Sequence, residues 1–450
     1  MKELDRLYLD HVATLEAAYA RALDGQENAG FDGVAIHSGN LVPRSEFDDQ
    51  FWPLRPVPHW QHWLPLVEPD AMLLVEPGRK PRLVRRSASS FWETPAPPES
   101  DAFLQAFEVI EDRTGSLLPG LLAAGAGNGQ WALVGEARAF AKAPLKAVLN
   151  PPQLVAALDA LRVRKTPYEV ACLAEANRRA RAGHDALREA FFAGDSSELD
   201  LHLLYLRATA QDDAETPYKN IVALGPHAAT LHHIAYGKRA APREAESLLV
   251  DAGATCRGYG ADVTRTWVKG RGGAAETFAA VASGMNRLQQ RLCAEVAIGK
   301  PYETLHDASH REVAALLVEA GIVRGSIDEA VSRGVTRAFY PHGLGHSLGL
   351  QTHDVGCGLR PAREDNPFLR NTSDIAMGQV FTIEPGIYFI EDLLDRLRAD
   401  PSATLVDWKT VAALAPLGGV RIEDDLYVDR AQGARNLTRE ALPQGTAQGP

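Results

Sequence analysis

Short apolar blocks separated by turn residues, alternating with helical stretches, set the pattern of the first third of the chain. DGVAIHSG (32–39), DAMLLVEP (70–77) and WALVGE (131–136) read as strands, and MKELDRLYLDHVATLEAAYARAL at the start reads as an amphipathic helix. The pattern predicts a small N-terminal α/β domain over residues 1–155, with the Pro-rich segment 53–100 mostly loop. Thr166-Pro167-Tyr168-Glu169 has the form of a capping box with proline at the first helical position. It predicts a long helix whose stripe Val170, Leu173, Ala180, Leu187 and Phe191 faces a core, and this helix is expected to begin a second domain spanning 160–450. The pattern then switches to strands rich in β-branched residues at NIVALG, SLLVDAGA and ADVTRTWV. Helices are predicted at 273–298 and 302–320, with strands again near 380 and 420. The tail LTREALPQGTAQGP is expected to fray. The fold class implied is α/β (α+β).

Composition narrows the partners. The 450 residues, 45% apolar, suffice for a substantial core, and a formal charge of −11 without a Lys/Arg-rich run argues against nucleic-acid binding. The charged N-terminal helix suggests neither export nor membrane insertion. Cys172, Cys256, Cys293 and Cys357 lie far apart without CxxC spacing, which argues against a zinc ribbon and for the reducing cytoplasm.

The candidate chemistry lies in four segments of the second domain. SLLVD ends an apolar strand on Asp251, and GYGAD turns back into a strand on which Asp262, Thr264 and Thr266 share a face, so hairpin closure would bring the two aspartates together. One such acid alone reads as a salt bridge or turn cap; the pair asks for a cation, because buried charge is costly unless paired or metal-bound. His342, His346 and His353 lie within twelve residues in a glycine-rich stretch. Its glycines disfavour a helix and permit close backbone approach, which excludes a helical zinc motif. Glu384 ends the apolar run VFTI before a Pro-Gly turn, and Glu423 follows Arg421 on the same face of another strand, where an intrastrand salt bridge is the simpler alternative. Together the segments supply four carboxylates and one imidazole, too much negative charge to gather without cations. Such a donor set suits Mn²⁺, and less selectively Co²⁺, Fe²⁺ or Zn²⁺. Two divalent cations roughly 3.5–4 Å apart would share a hydroxide able to attack an amide or ester carbonyl.

The segments DAGATCRGYGADVTRTW, PHGLGHSLGLQTHD, FTIEPGIYF and GGVRIEDD, in this order and at these separations, resemble the metal-site motifs of the pita-bread metallopeptidases. With EPGIYFIEDLLDRLRAD and an N-terminal domain of this size, the chain looks most like the bacterial Xaa-Pro dipeptidases, some of which are also described as organophosphorus acid anhydrolases. The resemblance implies a pita-bread catalytic domain after the small α/β domain. It implies that Asp251 binds one metal, that Asp262 and Glu423 bridge both, and that His346 and Glu384 complete the other. Glu384 would also act as general base. His232 in TLHHIAY would touch substrate, with His342 and His353 as outer histidines and His353 near the oxyanion or the substrate carboxylate.

A dipeptidase must bind both substrate ends. Arg370 corresponds to the family's carboxylate-binding arginine, with Arg421 as a second candidate; each is also readable as a structural ion pair. Asp48 or Asp49 would meet the substrate amine only if a partner subunit's N-terminal domain reached over the site, and for these the plain surface role is favoured. Tyr218 and Tyr388 are candidates for the slot around the proline ring, or simply core. The implied activity is release of C-terminal proline from Xaa-Pro dipeptides by a cytoplasmic homodimer, with promiscuous organophosphate hydrolysis. The alternatives are an aminopeptidase P-like enzyme acting on longer peptides, and a metal-free binding module that keeps the fold.

Overall fold

The computed structural model describes residues 2–25, 30–86, 102–113, 120, 130–140, 147–239, 246–270, 272–357, 360–429 and 433–443. They pack as two compact units, Met1–Ala171 and Cys172–Pro450, and the division falls inside the helix Pro167–Ala193.

In the first unit the helix Lys2–Asp24 buries Tyr8, Val12, Leu15, Tyr19 and Leu23, a three-to-four-residue repeat that makes one apolar stripe. A six-stranded mixed sheet runs, edge to edge, Glu108–Glu111, Arg82–Arg85, Met72–Val75, Phe31–His37, Gln130–Val134 and Val148–Leu149. Phe31–His37 pairs antiparallel with Met72–Val75 and parallel with Gln130–Val134. The three strands expected from DGVAIHSG, DAMLLVEP and WALVGE therefore form the centre of this sheet. Most of the described part of 53–100 is loop, as expected, interrupted by three short elements, one of them the strand Met72–Val75. Pro58–Trp63 is helical, with proline at its start, and Arg82–Arg85 is a strand whose alternating Leu83 is buried. Its arginines are satisfied by Glu76 and Glu68, so their charge did not prevent strand formation. Residues 87–100 lie outside the described part.

Thr166 and Glu169 make the expected reciprocal cap. The Thr166 backbone N–H donates to Glu169 Oε2 at 2.7 Å, and the Glu169 N–H donates to Thr166 Oγ1 at 3.4 Å. The predicted stripe from Val170 to Phe191 is buried throughout.

In the second unit Thr264–Val268, Ser247–Asp251 and Ile221–Leu224 form an antiparallel sheet with Ser247–Asp251 in the middle. A second antiparallel sheet orders Val380–Ile383, Asp424–Asp429 and Gly433–Asn436. An isolated bridge between Thr264 and Glu423 joins these sheets, so acids from distant segments meet at one seam. The helices Gly273–Ala294 and Tyr302–Glu319 contribute Phe278, Met285, Leu288, Val313 and Leu317 to the large core beneath it. The tail is ordered further than expected: Asn436 caps a short helix, Leu437–Ala441, in which Leu437 and Ala441 are buried. Residues 444–450 lie outside the described part.

His184 illustrates what this core demands. It is fully buried and donates through Nε2 to the Ala252 carbonyl at 2.9 Å; burial, only partly offset by that bond, lowers its pKa to about 3. The unfolded imidazole titrates near 6.5, so the contribution is intact above that pH and is lost as pH falls toward the folded value. Between pH 7 and pH 5 it amounts to about 2 kcal/mol. Urea unfolding at the two pH values is expected to show a smaller loss for His184→Gln than for the unsubstituted chain; equal losses would refute the assignment.

Candidate metal centre

Asp251 is the last residue of its strand and pairs in register with Thr264. Asp262 does not lie in the returning strand, as alternation predicted, but in the turn just before it. The intervening residues form a small hairpin, Thr255–Cys256 with Tyr259–Gly260, which takes up the extra length. The turn needs glycine: a Cβ on Gly253 would lie 1.9 Å from the Ala261 carbonyl oxygen. The histidine stretch is irregular backbone, as its glycines imply, and a Cβ on Gly345 would come within 2.2 Å of the Thr382 carbonyl oxygen. That close approach places His346 against the strand leading to Glu384, with Thr382 N–H donating to the His346 carbonyl at 2.9 Å.

The five residues converge. His346 Nε2 lies 3.4 Å from Asp262 Oδ2, 3.5 Å from Glu384 Oε1 and 4.0 Å from Glu423 Oε1. One ligand atom from each of Asp262, His346 and Glu423 falls within 4.8 Å of the others. Tyr218 Oη lies 2.7 Å from Asp251 Oδ1 and 2.6 Å from Asp262 Oδ1. A phenol has one proton to donate, so the second contact needs a proton on the carboxyl itself. Burial, with neighbouring Asp262, raises Asp251 toward that protonated form even against Arg421.

The other shifts also report surplus negative charge. Burial pushes Glu384 up to about 7, and burial with Asp262 and Glu384 pushes Glu423 well above its ordinary range. Burial works against His346, yet Asp262 and Glu384 hold its imidazolium up to about 9. Asp262 ends low because its bonds with His346 and Tyr218 outweigh burial. Four carboxylates of which several favour protonation, around one imidazole that favours the cation, form a hard donor set that divalent cations would neutralise. The residues present therefore fit a dinuclear site.

The surrounding groups are held from behind. Thr264 Oγ1 donates to Glu423 Oε2 at 2.6 Å, and Asp425 accepts the Asp262 N–H at 3.1 Å and Asn177 at 2.8 Å. Arg421 donates to Asp251 at 2.7 Å and to the Tyr388 hydroxyl at 2.8 Å. Its pairing thus crosses to Asp251 instead of running along its own strand to Glu423. The Tyr388 hydroxyl meets His342 Nε2 at 2.8 Å, while His342 Nδ1 meets the Gly343 carbonyl at 2.8 Å. A carbonyl only accepts, so Nδ1 carries the hydrogen and Nε2 accepts from Tyr388. Burial, with Arg421 nearby, keeps this ring neutral by lowering it to about 3.

A cavity of about 850 Å³ opens over the centre. Its lining includes Asp251, Asp262, His346, Glu384 and Glu423, together with Tyr218, His232, His342, His353, Arg370 and Arg421. Its apolar wall is Leu231, Ile234, Phe368, Leu369, Ile390 and Leu393. Sequence reasoning had offered Tyr218 and Tyr388 for a proline slot; Tyr218 instead spans the two aspartates, and Tyr388 is fully buried behind His342 and Arg421. The aliphatic wall was missed, although Phe368 and Leu369 directly precede Arg370. Asp48 and Asp49 lie in the first unit, exposed, and their carboxylates accept from neighbouring Gln50.

Comparison with known proteins agrees with this geometry. Residues 171–430 match the model of metallopeptidase family M24, and residues 6–160 match the Xaa-Pro dipeptidase N-terminal domain. The chain belongs to metallopeptidase family M24. It is 42% identical to an Xaa-Pro dipeptidase of Marinobacter nauticus, over 96% of this chain and 97% of that one. It is 37% identical to an Xaa-Pro dipeptidase of Aeromonas hydrophila, over 98% of this chain and 100% of the relative. Among solved structures, proline aminopeptidase P II from Yersinia pestis superposes with a TM-score of 0.72 at 21% identity, covering 99% of this chain and 97% of that one. Zinc-substituted E. coli aminopeptidase P in complex with product gives 0.71 at 20% identity, with 97% and 96% covered. These structural neighbours share the fold.

Proposed function

We propose that this chain hydrolyses Xaa-Pro dipeptides, releasing C-terminal proline, with two divalent cations held by Asp251, Asp262, His346, Glu384 and Glu423. The observation that carries the reading is the convergence of three carboxylates, Asp262, Glu384 and Glu423, on His346, with Asp251 beside them in the lining of the same cavity, in a chain 42% identical to an Xaa-Pro dipeptidase along nearly its whole length. As the motif resemblance implies, Asp262 and Glu423 would serve both cations, Asp251 would complete one site, and His346 and Glu384 would complete the other. Bound there, such a pair lowers the pKa of water and polarises a carbonyl. The hard donor set favours Mn²⁺ over softer ions.

The protein's own groups do the rest. Glu384, in the cavity lining beside the cluster, is placed to accept a proton from water and return it to the leaving amine. His353, lowered to about 4 by burial and by His346 and Arg370, is a neutral N–H donor at the cavity, without a hydrogen-bond partner among the described residues. It is suited to the developing oxyanion. His232, also in the cavity lining, would reach substrate, and His342 holds its position through Tyr388 and Gly343. Arg370 is exposed at the cavity without a carboxylate partner among the described residues, which suits it to the substrate carboxylate; Arg421 is engaged by Asp251. The aliphatic wall accepts the proline ring, whose tertiary amide offers no N–H.

Four cysteines that form no disulfide among the described residues fit a reducing compartment such as the cytoplasm. Phe47, 99% exposed, and half-exposed Trp52 flank Asp48 and Asp49, an apolar surface of the kind a homodimer would cover.

The test is a substrate panel with and without Mn²⁺: Gly-Pro and Ala-Pro, a tripeptide with proline second, and a phosphotriester. Metal-dependent proline release from the dipeptides, with weak phosphotriester turnover, is expected. No release from any dipeptide would refute the reading, and faster cleavage of the tripeptide would make the enzyme an aminopeptidase.

A further inference from the structure

A second convergence of ligating side chains lies apart from the acidic centre. Glu198 opens the helix Glu198–Thr209, and its side chain is almost entirely buried. Its Oε1 lies 2.7 Å from His227 Nδ1, and its Oε2 lies 2.9 Å from His233 Nε2. The two imidazoles stack, with centroids 4.4 Å apart and planes 25° from parallel. One ligand atom from each of the three residues falls within 4.8 Å of the others. The carboxylate is also fixed: the Leu224 N–H donates to Oε1 at 2.9 Å and the Gly237 N–H to Oε2 at 2.7 Å. Among the described residues no lysine or arginine forms an ion pair with Glu198; the side chains that meet its carboxylate are the two histidines.

We propose that Glu198, His227 and His233 form a mononuclear Zn²⁺ site. Two imidazoles and one carboxylate without a thiolate are a three-ligand set suited to zinc, with the fourth position left to water. The ligand nitrogens already face the carboxylate. Each neutral ring becomes a ligand by moving its proton to its outer nitrogen, so binding needs no net proton loss. The backbone donors on Glu198 are the outer support that holds a ligating carboxylate in place. His227 is 53% exposed, which gives the ion a path from solvent. Occupancy would tie the segment from Gly225 to Gly237 to the start of the helix. Leu231, His232 and Ile234 of that segment line the cavity, so the ion would brace one wall of the substrate site from outside it.

The test is equilibrium dialysis of the chelator-treated full chain against Zn²⁺, with elemental analysis. The unsubstituted chain is expected to retain one more equivalent than His227→Gln, whose substitution is at the surface, and than the double variant His227→Gln, His233→Gln. The acidic centre contributes equally to each protein, so the difference reads this site whatever becomes of the dinuclear reading. Equal equivalents in all three would overturn the proposal. A second measurement uses the unsubstituted chain alone: Zn²⁺ should protect His227 from carbethoxylation, followed by peptide mass analysis, and an unprotected His227 would equally overturn it.

Discussion

Asp262→Asn is expected to reduce proline release by more than the ~10–100-fold that losing an outer partner of a metal ligand costs. The substitution keeps the volume and one acceptor but removes the charge on which His346 and, in the proposed arrangement, both cations depend. Glu423→Gln should behave alike, since Gln still accepts from Thr264 Oγ1 yet cannot balance two divalent ions. Both variants should bind fewer metal equivalents. The metal-free proteins provide a contrast: Glu423 carries a strongly raised pKa among like charges, so neutralising it should leave chelator-treated stability unchanged or slightly higher. Turnover retained in both variants would overturn the ligand assignment, and loss of activity through unfolding would appear in the metal-free melting curve.

Arg265→Met is expected to cost about 3–5 kcal/mol of stability, the range for breaking a buried ion pair. Arg265 and Asp424 are both fully buried and meet at 2.8 Å. Burial lowers the guanidinium to about 10, still charged at neutral pH. The same side chain donates to the Thr264 carbonyl at 2.9 Å and to the Glu423 carbonyl at 2.8 Å, so truncation removes a donor from both carbonyls where the sheets join, while Thr264 keeps the Glu423 N–H at 3.1 Å. Arg439 and Gln289 still serve Asp424, which places the cost toward the lower end of that range. Because Arg265 holds the backbone of Glu423, metal affinity should fall together with the melting temperature. A variant melting within about 2 °C of the unsubstituted chain would show that the pair is dispensable.

The proposed ligands were legible because their signals are local. An acid closing an apolar strand, as at Asp251 and Glu384, is a contradiction within a few residues of sequence, and glycines such as Gly253 and Gly345 mark where backbone must pass close by. The capping box at Thr166 and the stripe from Val170 to Phe191 are local in the same sense. The partners that tune the site were not legible. Tyr218 meets Asp251 across 33 residues, and Arg421 meets it across 170. In sequence each had several equivalent roles, a ring slot or a substrate cation among them. Nothing within the segment around Glu198 points to His227 and His233 some thirty residues on.

Sequence by itself therefore determined which side chains carry charge into the interior, and the strands and turns that deliver them, because those properties follow from periodicity and backbone preference. Tertiary structure alone decided who shares a proton with whom: that Asp251 pairs with Arg421, that His342 is fixed by Tyr388 and Gly343, and that an apolar wall lines the cavity. Those outcomes depend on distances between segments far apart in the chain, and on burial, which sets the cost of every uncompensated charge.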